Sequence, residues 1–308
     1  MRNVVRSLFL AVAALALGCC VEATEVITVN PDGSGKIQID ETMATPPNFG
    51  PGGPGGAKPD PDKLAKTAVG QTLANKAIEA WSDVSYEVLN DGRIHVKATG
   101  YFKDVTKLGV LPGQPPQADQ GFRWSKNDKG GMDLVLKTDK APATAPASQP
   151  KLTDEQVSAK VKEAKMQYQQ MKPMMAMMLG TLKIDMTFVL PGKLQEVNNF
   201  KKTDKGVQLV IEGKKMLEVM DKSMTDDKAL EALVRAGKKA DDQPENFNEM
   251  MFGSKGEIMA RVGGDLKPVF DYAAEMGKAK AGQDEMLKKL GVEIKAPGLN
   301  FGGPASAN

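Results

Sequence analysis

One stripe of apolar residues constrains this chain more than any other feature. Val157, Val161, Ala164, Tyr168, Met171, Met175 and Met178 follow one another at alternating steps of four and three, the spacing that keeps side chains on one helix face. Thr153 precedes the stripe and Gln156 stands three places after it, the pair that closes a capping box. A long helix is predicted, and its apolar face must be covered. Pro173 falls inside the helix. Proline lacks an amide hydrogen and its ring crowds the carbonyl of Gln169, so a kink or break is expected there.

Around this helix the chain reads as hairpins. Alternating residues over 26–39 flank the turn Asn30-Pro31-Asp32-Gly33-Ser34-Gly35. A second pair, 84–89 and 93–99, flanks Asn90-Asp91-Gly92, and a third, 122–126 and 132–137, flanks Asn127-Asp128-Lys129-Gly130-Gly131. Such turn residues between alternating runs signal hairpins. After Gly180, residues 182–190 and 207–212 read as two strands that pair with each other, and a further strand begins at Leu194.

A helix starting at Pro61 behind the cap Asp60 carries Val69, Leu73, Ala77 and Trp81 at every fourth position, a stripe that should face a sheet. The C-terminal part, 214–292, reads as mostly helical, over 216–222, from the cap Thr225 to Gly237, and over 266–276 and 284–290, with a strand at 257–262. Hairpins and helices without regular strand–helix–strand alternation predict an α+β fold, an antiparallel sheet built from several β-hairpins with packed helices. One α+β body is expected over 25–300, interrupted by a Pro/Gly-rich connector at 44–61 and an Ala/Pro-rich connector at 140–151.

The first 18 residues have the layout of an export signal, with Arg2 and Arg6 ahead of an apolar run. That run is shorter than the roughly 20 residues a membrane-spanning helix needs. Ala16-Leu17-Gly18-Cys19 resembles a bacterial lipobox, which makes Cys19 the candidate lipid anchor; Val21-Glu22-Ala23 is the competing site for ordinary signal cleavage. The expected address is the cell envelope, anchored to a membrane and facing the periplasm or exterior, or secreted if the cut follows Ala23. Once Arg2 and Arg6 leave with the leader, 39 basic and 39 acidic residues balance. No clustered positive field points to nucleic acid. The only two cysteines are Cys19 and Cys20, so the body has no disulfide, thiol nucleophile or zinc thiolate.

The motifs of common enzymes fail. Gly33-Ser34-Gly35-Lys36 lacks the spacing and the following helix of a phosphate loop. Neither a Gly-x-Ser-x-Gly nor a His-Glu-x-x-His occurs. His95, the single histidine, shares the polar face of its strand with Arg93 and Lys97, opposite Ile94, Val96 and Ala98. No catalytic residue, metal ligand or cofactor is assigned.

Two metal readings stand as alternatives. Asn30, Asp32, Ser34, Gly35, Ile37 and Glu41 fall at positions 1, 3, 5, 6, 8 and 12 of an EF-hand loop, although strand-like residues precede them and Thr45-Pro46-Pro47 follows. Seven of the 18 methionines lie between Met166 and Met186, and thioethers suit Cu(I). Methionine is also a flexible hydrophobe that fills irregular apolar surfaces. On that reading Val161, Tyr168, Met171, Met175 and Met178 line a groove between sheet and helix that takes a lipid or another amphiphile.

Cys19, the strand and turn from Val26 to Gly35, and Phe188-Val189-Leu190-Pro191-Gly192-Lys193-Leu194 with Asn198 after it resemble the LppM-type bacterial lipoproteins over about a quarter of the chain. The resemblance implies an exported α+β module associated with lipid binding or envelope trafficking, and it carries over no ligand residues. The two inserts and the helices from Met216 onward depart from it. The expectation is a non-enzymatic, lipid-anchored binding protein. A structural lipoprotein that docks a protein partner, and an envelope copper- or calcium-binding protein, are the other classes.

Overall fold

In the computed structural model, the turn at residues 30–35 closes the hairpin that the alternation predicts, between β1 (Val21–Val29) and β2 (Gly35–Met43). Residues 21–44, 60–110, 121–137, 152–235, 247–253 and 255–294 are described. The leader, Cys19 and nearly all of both connectors lie outside them. Gly35 begins β2 where a Cβ would lie 2.1 Å from the Thr28 carbonyl oxygen and 2.4 Å from the Phe102 ring. Only glycine fits there.

β3 (Ile78–Val88) and β4 (Ile94–Phe102) form the second predicted hairpin, and β4 pairs with β2. β7 (Lys183–Val189) and β10 (Gly206–Glu212) pair antiparallel as expected, with short β9 (Lys201–Thr203) beyond β10. The two groups join through β1 and β7, which run parallel with Glu25 beside Met186 and Ile27 beside Phe188. The sheet order is β3-β4-β2-β1-β7-β10-β9. One parallel pair at its centre thus modifies the expected antiparallel sheet.

A second sheet has the order β5-β6-β11-β8. It comprises the third predicted hairpin, β5 (Gly121–Lys126) and β6 (Met132–Lys137), with β11 (Ile258–Gly263) and β8 (Lys193–Asn198). The chain leaves β7 for β8 at Gly192, whose φ is +92° and where a Cβ would meet Leu266 Cδ2 at 2.6 Å. The sheets share one core. Phe188 of the first packs edge-on against Phe122 of the second, with ring centroids 5.1 Å apart, and against Phe200 at 5.7 Å.

Helix α1 (Pro61–Thr72) covers the other half of the inner face through buried Ala65 and Val69. The predicted stripe did not remain one helix. α1 ends at Thr72, and Trp81 belongs to β3, from which its indole Nε1 donates to the Leu73 carbonyl at 2.9 Å. The physical reason is local. Asn75 Oδ1 accepts from the Ala77 amide at 3.0 Å, an Asx turn that stops the helix. The aromatic and β-branched residues after it favour a strand.

The long helix α2 (Asp154–Leu179) carries the predicted capping box at Thr153 and Gln156 and runs unbroken through Pro173. Pro173 and Gln169 are both exposed, so water can bind the carbonyl that proline leaves without a donor. α3 (Gly213–Thr225) and α4 (Asp227–Arg235) follow, separated at Asp226, whose Oδ1 accepts from the Ala229 amide at 3.0 Å. Asp226 caps α4, not Thr225. α5 (Phe247–Phe252) is short. The last two predicted helices are one, α6 (Tyr272–Leu290), and Leu266 lies before it. Asp271 caps α6 and Gly291 ends it in the left-handed conformation. α6 lies on β3, where Ala279 joins Ala80 and Tyr101 and Gln283 Oε1 accepts from the Trp81 amide at 2.7 Å.

Candidate functional site

The apolar stripe of α2 is where sequence placed the binding face, and α3 and α4 lie against it. Val161, Tyr168 and Met175 are buried and Met171 is half-buried; the Met178 side chain lies outside the described set. Val157 and Val161 pack with Leu230 and Val234 of α4 in a small cluster apart from the main core, edged by Leu152 and Met224. The groove face is therefore closed by helices in this structure.

Polar contacts surround that cluster. The Tyr168 hydroxyl donates to Asp221 Oδ1 of α3 at 2.8 Å, and Lys172 lies 2.7 Å from the same oxygen. Lys165 pairs with Asp227, and Arg235 with Asp154 at 2.6 Å. Burial, and then the Asp221 carboxylate, push the Tyr168 hydroxyl above its ordinary range. It stays a donor. These ion pairs are largely exposed, so each contributes at most about 1 kcal/mol. On the opposite face, Met166 and Met177 are 55% and 68% exposed, and a spacing of 11 residues returns both to one side of the helix.

The first hairpin contains a site that sequence reading missed. Glu25 and Glu41 face the core and are only 4% and 5% exposed. Glu25 stands opposite Ile39, and Glu41 opposite Ala23, so the two carboxyls are diagonal neighbours on one face, with backbones roughly 7–8 Å apart. A cavity of about 20 Å³ lies beside Glu25, lined also by Thr72, Asn75, Ile39, Trp81 and Leu108. Glu41 Oε2 is buried and has no hydrogen-bond partner among the described residues. Burial pushes the Glu25 carboxyl up to about 8, with Glu41 adding to the effect, and burial pushes Glu41 up to about 7. What the pair can do chemically is hold and release protons near neutrality. The available signal was parity: Glu25 shares its strand face with Ala23, Ile27 and Val29, whereas the expected alternation was read only from residue 26 onward.

The same register removes the EF-hand geometry. Glu41 lies six residues along β2 from Gly35, roughly 20 Å from the turn. Asn30 Oδ1 instead accepts from the Val269 amide at 2.8 Å, and Asp32 Oδ1 accepts from the Ser34 amide at 3.0 Å. His95 sits on the polar face as predicted, with Nδ1 2.9 Å from Glu87 and Nε2 2.6 Å from Asp40. These hydrogen bonds, Glu87 first, raise its pKa. A cleft of about 640 Å³ beside the first turn is lined by Lys76, Lys103, Lys107, Asp32, Glu79 and Asp104 among others. The acids there are already engaged by Ser34, Tyr272 and Thr106.

Among the described residues, no helix is long and apolar enough to cross a membrane. No family model and no curated protein matches the chain. Among solved structures, the NMR structure of the folded domain of Mycobacterium tuberculosis LppM matches at 13% identity and a TM-score of 0.28, covering 63% of this chain and 84% of that one. This is a weak structural resemblance, and neither site nor ligand is carried across from it.

Proposed function

We propose that this chain is an exported, lipid-anchored cell-envelope protein of non-enzymatic, binding type, held to a membrane through Cys19 and taking an amphiphile on the apolar face of α2. The observation that carries the anchor is where β1 begins. Val21 pairs with Met43, Glu22 with both Thr42 and Lys183, and Ala23 with Glu41. A cut before Cys19 leaves all of these pairs intact and puts the anchor two residues ahead of the sheet. A cut after Ala23 removes three strand residues, one of them buried.

For the amphiphile, the support is the weak attachment of α4. Four buried apolar side chains and exposed ion pairs hold α4 on α2, far fewer apolar contacts than the main core supplies. Elements attached this way open at low free energy. Lifting α4 bares Val157 and Val161, at one end of the stripe that Tyr168, Met171 and Met175 continue. Native mass spectrometry of protein extracted from membranes tests this: one retained amphiphile per chain is expected, and a chain that neither retains nor binds a fatty acid or lysophospholipid contradicts it.

A second reading, docking to a protein partner, is favoured by the exposed Met166 and Met177 on one side of α2. It predicts a complex lost on Met166→Glu. A strictly monomeric species in envelope extracts, indifferent to that substitution, removes it.

A further inference from the structure

We propose that Glu25 and Glu41 form a pH-sensitive switch in the first hairpin: as neutral acids they hold it closed inside the sheet, and when they ionise its open end separates.

The placement of the pair is the first ground. Both carboxyls lie on the core face of the two central strands β1 and β2, at positions where the same strands otherwise carry Ile27, Val29, Ile37 and Ile39. Among the described residues no cation faces them. Their row neighbours are Ala98 and Val96 on β4 and Met186 and Ile184 on β7. From α1 and the segment after it come Thr72 and Asn75, and from the 108–109 segment Leu108. None of these is charged. Glu41 Oε2 has no donor among the described residues. An ionised carboxylate in such surroundings is strongly disfavoured, and two are worse. The neutral acid, by contrast, is an uncharged polar group, and the cavity beside Glu25 is large enough for about one water to bind it.

The location within the hairpin sets the direction of opening. The far end of the hairpin is tied at Asn30, which bonds Ser34, the Val269 amide and the Phe270 carbonyl. The open end has Ala23–Glu41 as its third residue pair from Val21–Met43. Strain from charging the pair is therefore relieved by fraying at the end nearest Cys19. The sign follows from the raised values, about 8 and about 7. The folded hairpin binds protons that the unfolded chain releases near 4.5, so its stability falls as pH rises from there through about 8. The switch closes in acid and loosens in alkali.

The test uses the full chain and two readouts. In the infrared, protonated carboxyl absorption should persist at about pH 6 and disappear through about pH 8. The Glu25→Gln, Glu41→Gln double variant should lack it. Hydrogen exchange, corrected for the intrinsic pH effect, should show β1 and β2 protection falling at least about tenfold over that span in wild type and staying within about twofold in the double variant. Ordinary carboxylate titration of both residues overturns the proposal. So does a protection loss that the double variant retains. Should the variant fail to fold, the infrared titration of wild type decides alone.

Discussion

The Tyr168 hydroxyl donates to Asp221 Oδ1 at 2.8 Å, a bond by which a buried residue of the α2 stripe reaches a charged group on α3. Tyr168→Phe keeps the ring and removes the bond. The expected loss is about 1 kcal/mol, confined to the helical layer because Lys172 still neutralises Asp221. Hydrogen exchange should rise in α3 and α4 and stay unchanged in β1, β2 and β7. Amphiphile uptake should become faster. Uniform destabilisation of both sheets contradicts this attachment.

Leu230 is 1% exposed and sits at the centre of the satellite cluster. Leu230→Ala should cost about 2–3 kcal/mol locally, from lost transfer energy and a cavity. Monitored at α4 and at Trp81, urea unfolding should split into two transitions in the variant, the helical layer first. One coincident transition at both probes argues that the layer and the sheets are one cooperative unit.

The Trp81 indole closes the end of α1 by donating to the Leu73 carbonyl at 2.9 Å, both residues being buried. Trp81→Phe leaves that carbonyl without its donor. Global stability in urea should fall by about 1–2 kcal/mol. A neutral result would mean that the helix end finds water in place of the indole.

His95 is bonded to Glu87 and Asp40, and its pKa lies above 6.5. The stability it contributes is fully present below 6.5, its unfolded value, and is lost as pH rises through the raised folded value. The difference in melting temperature between wild type and His95→Asn should therefore be largest in acid and shrink towards alkaline pH. A difference that grows with pH contradicts the assignment. Glu25 and Glu41 act in both proteins and cancel from the comparison.

How much of this was legible depended on whether the signal was local. Asn30 to Gly35, Asn90-Asp91-Gly92 and Asn127 to Gly131 each close the hairpin their residues specify, because turn chemistry acts over a few residues. The Thr153 cap was readable for the same reason. The parallel pairing of β1 with β7 was not, since it joins segments about 160 residues apart by backbone bonds that carry no side-chain signature. The gap expected between helices at 266–276 and 284–290 is absent, and Gly277 and Gly282 within it stand clear of neighbouring atoms in an uninterrupted helix. At the candidate site the α2 stripe was legible as an apolar face as far as Met175. What covers it was not, because α3 and α4 carry their own apolar faces and sequence does not state which faces meet. Glu25 and Glu41 escaped because charged residues at inward positions run against the pattern used to find a core.

Intact mass and N-terminal sequence of the protein extracted from membranes test the central claim most directly. Anchoring through Cys19 predicts a mature chain that begins at Cys19 and carries the added mass of acyl chains, and that leaves the membrane fraction on Cys19→Ala. An unmodified chain beginning at Thr24, recovered in the soluble fraction, would contradict it.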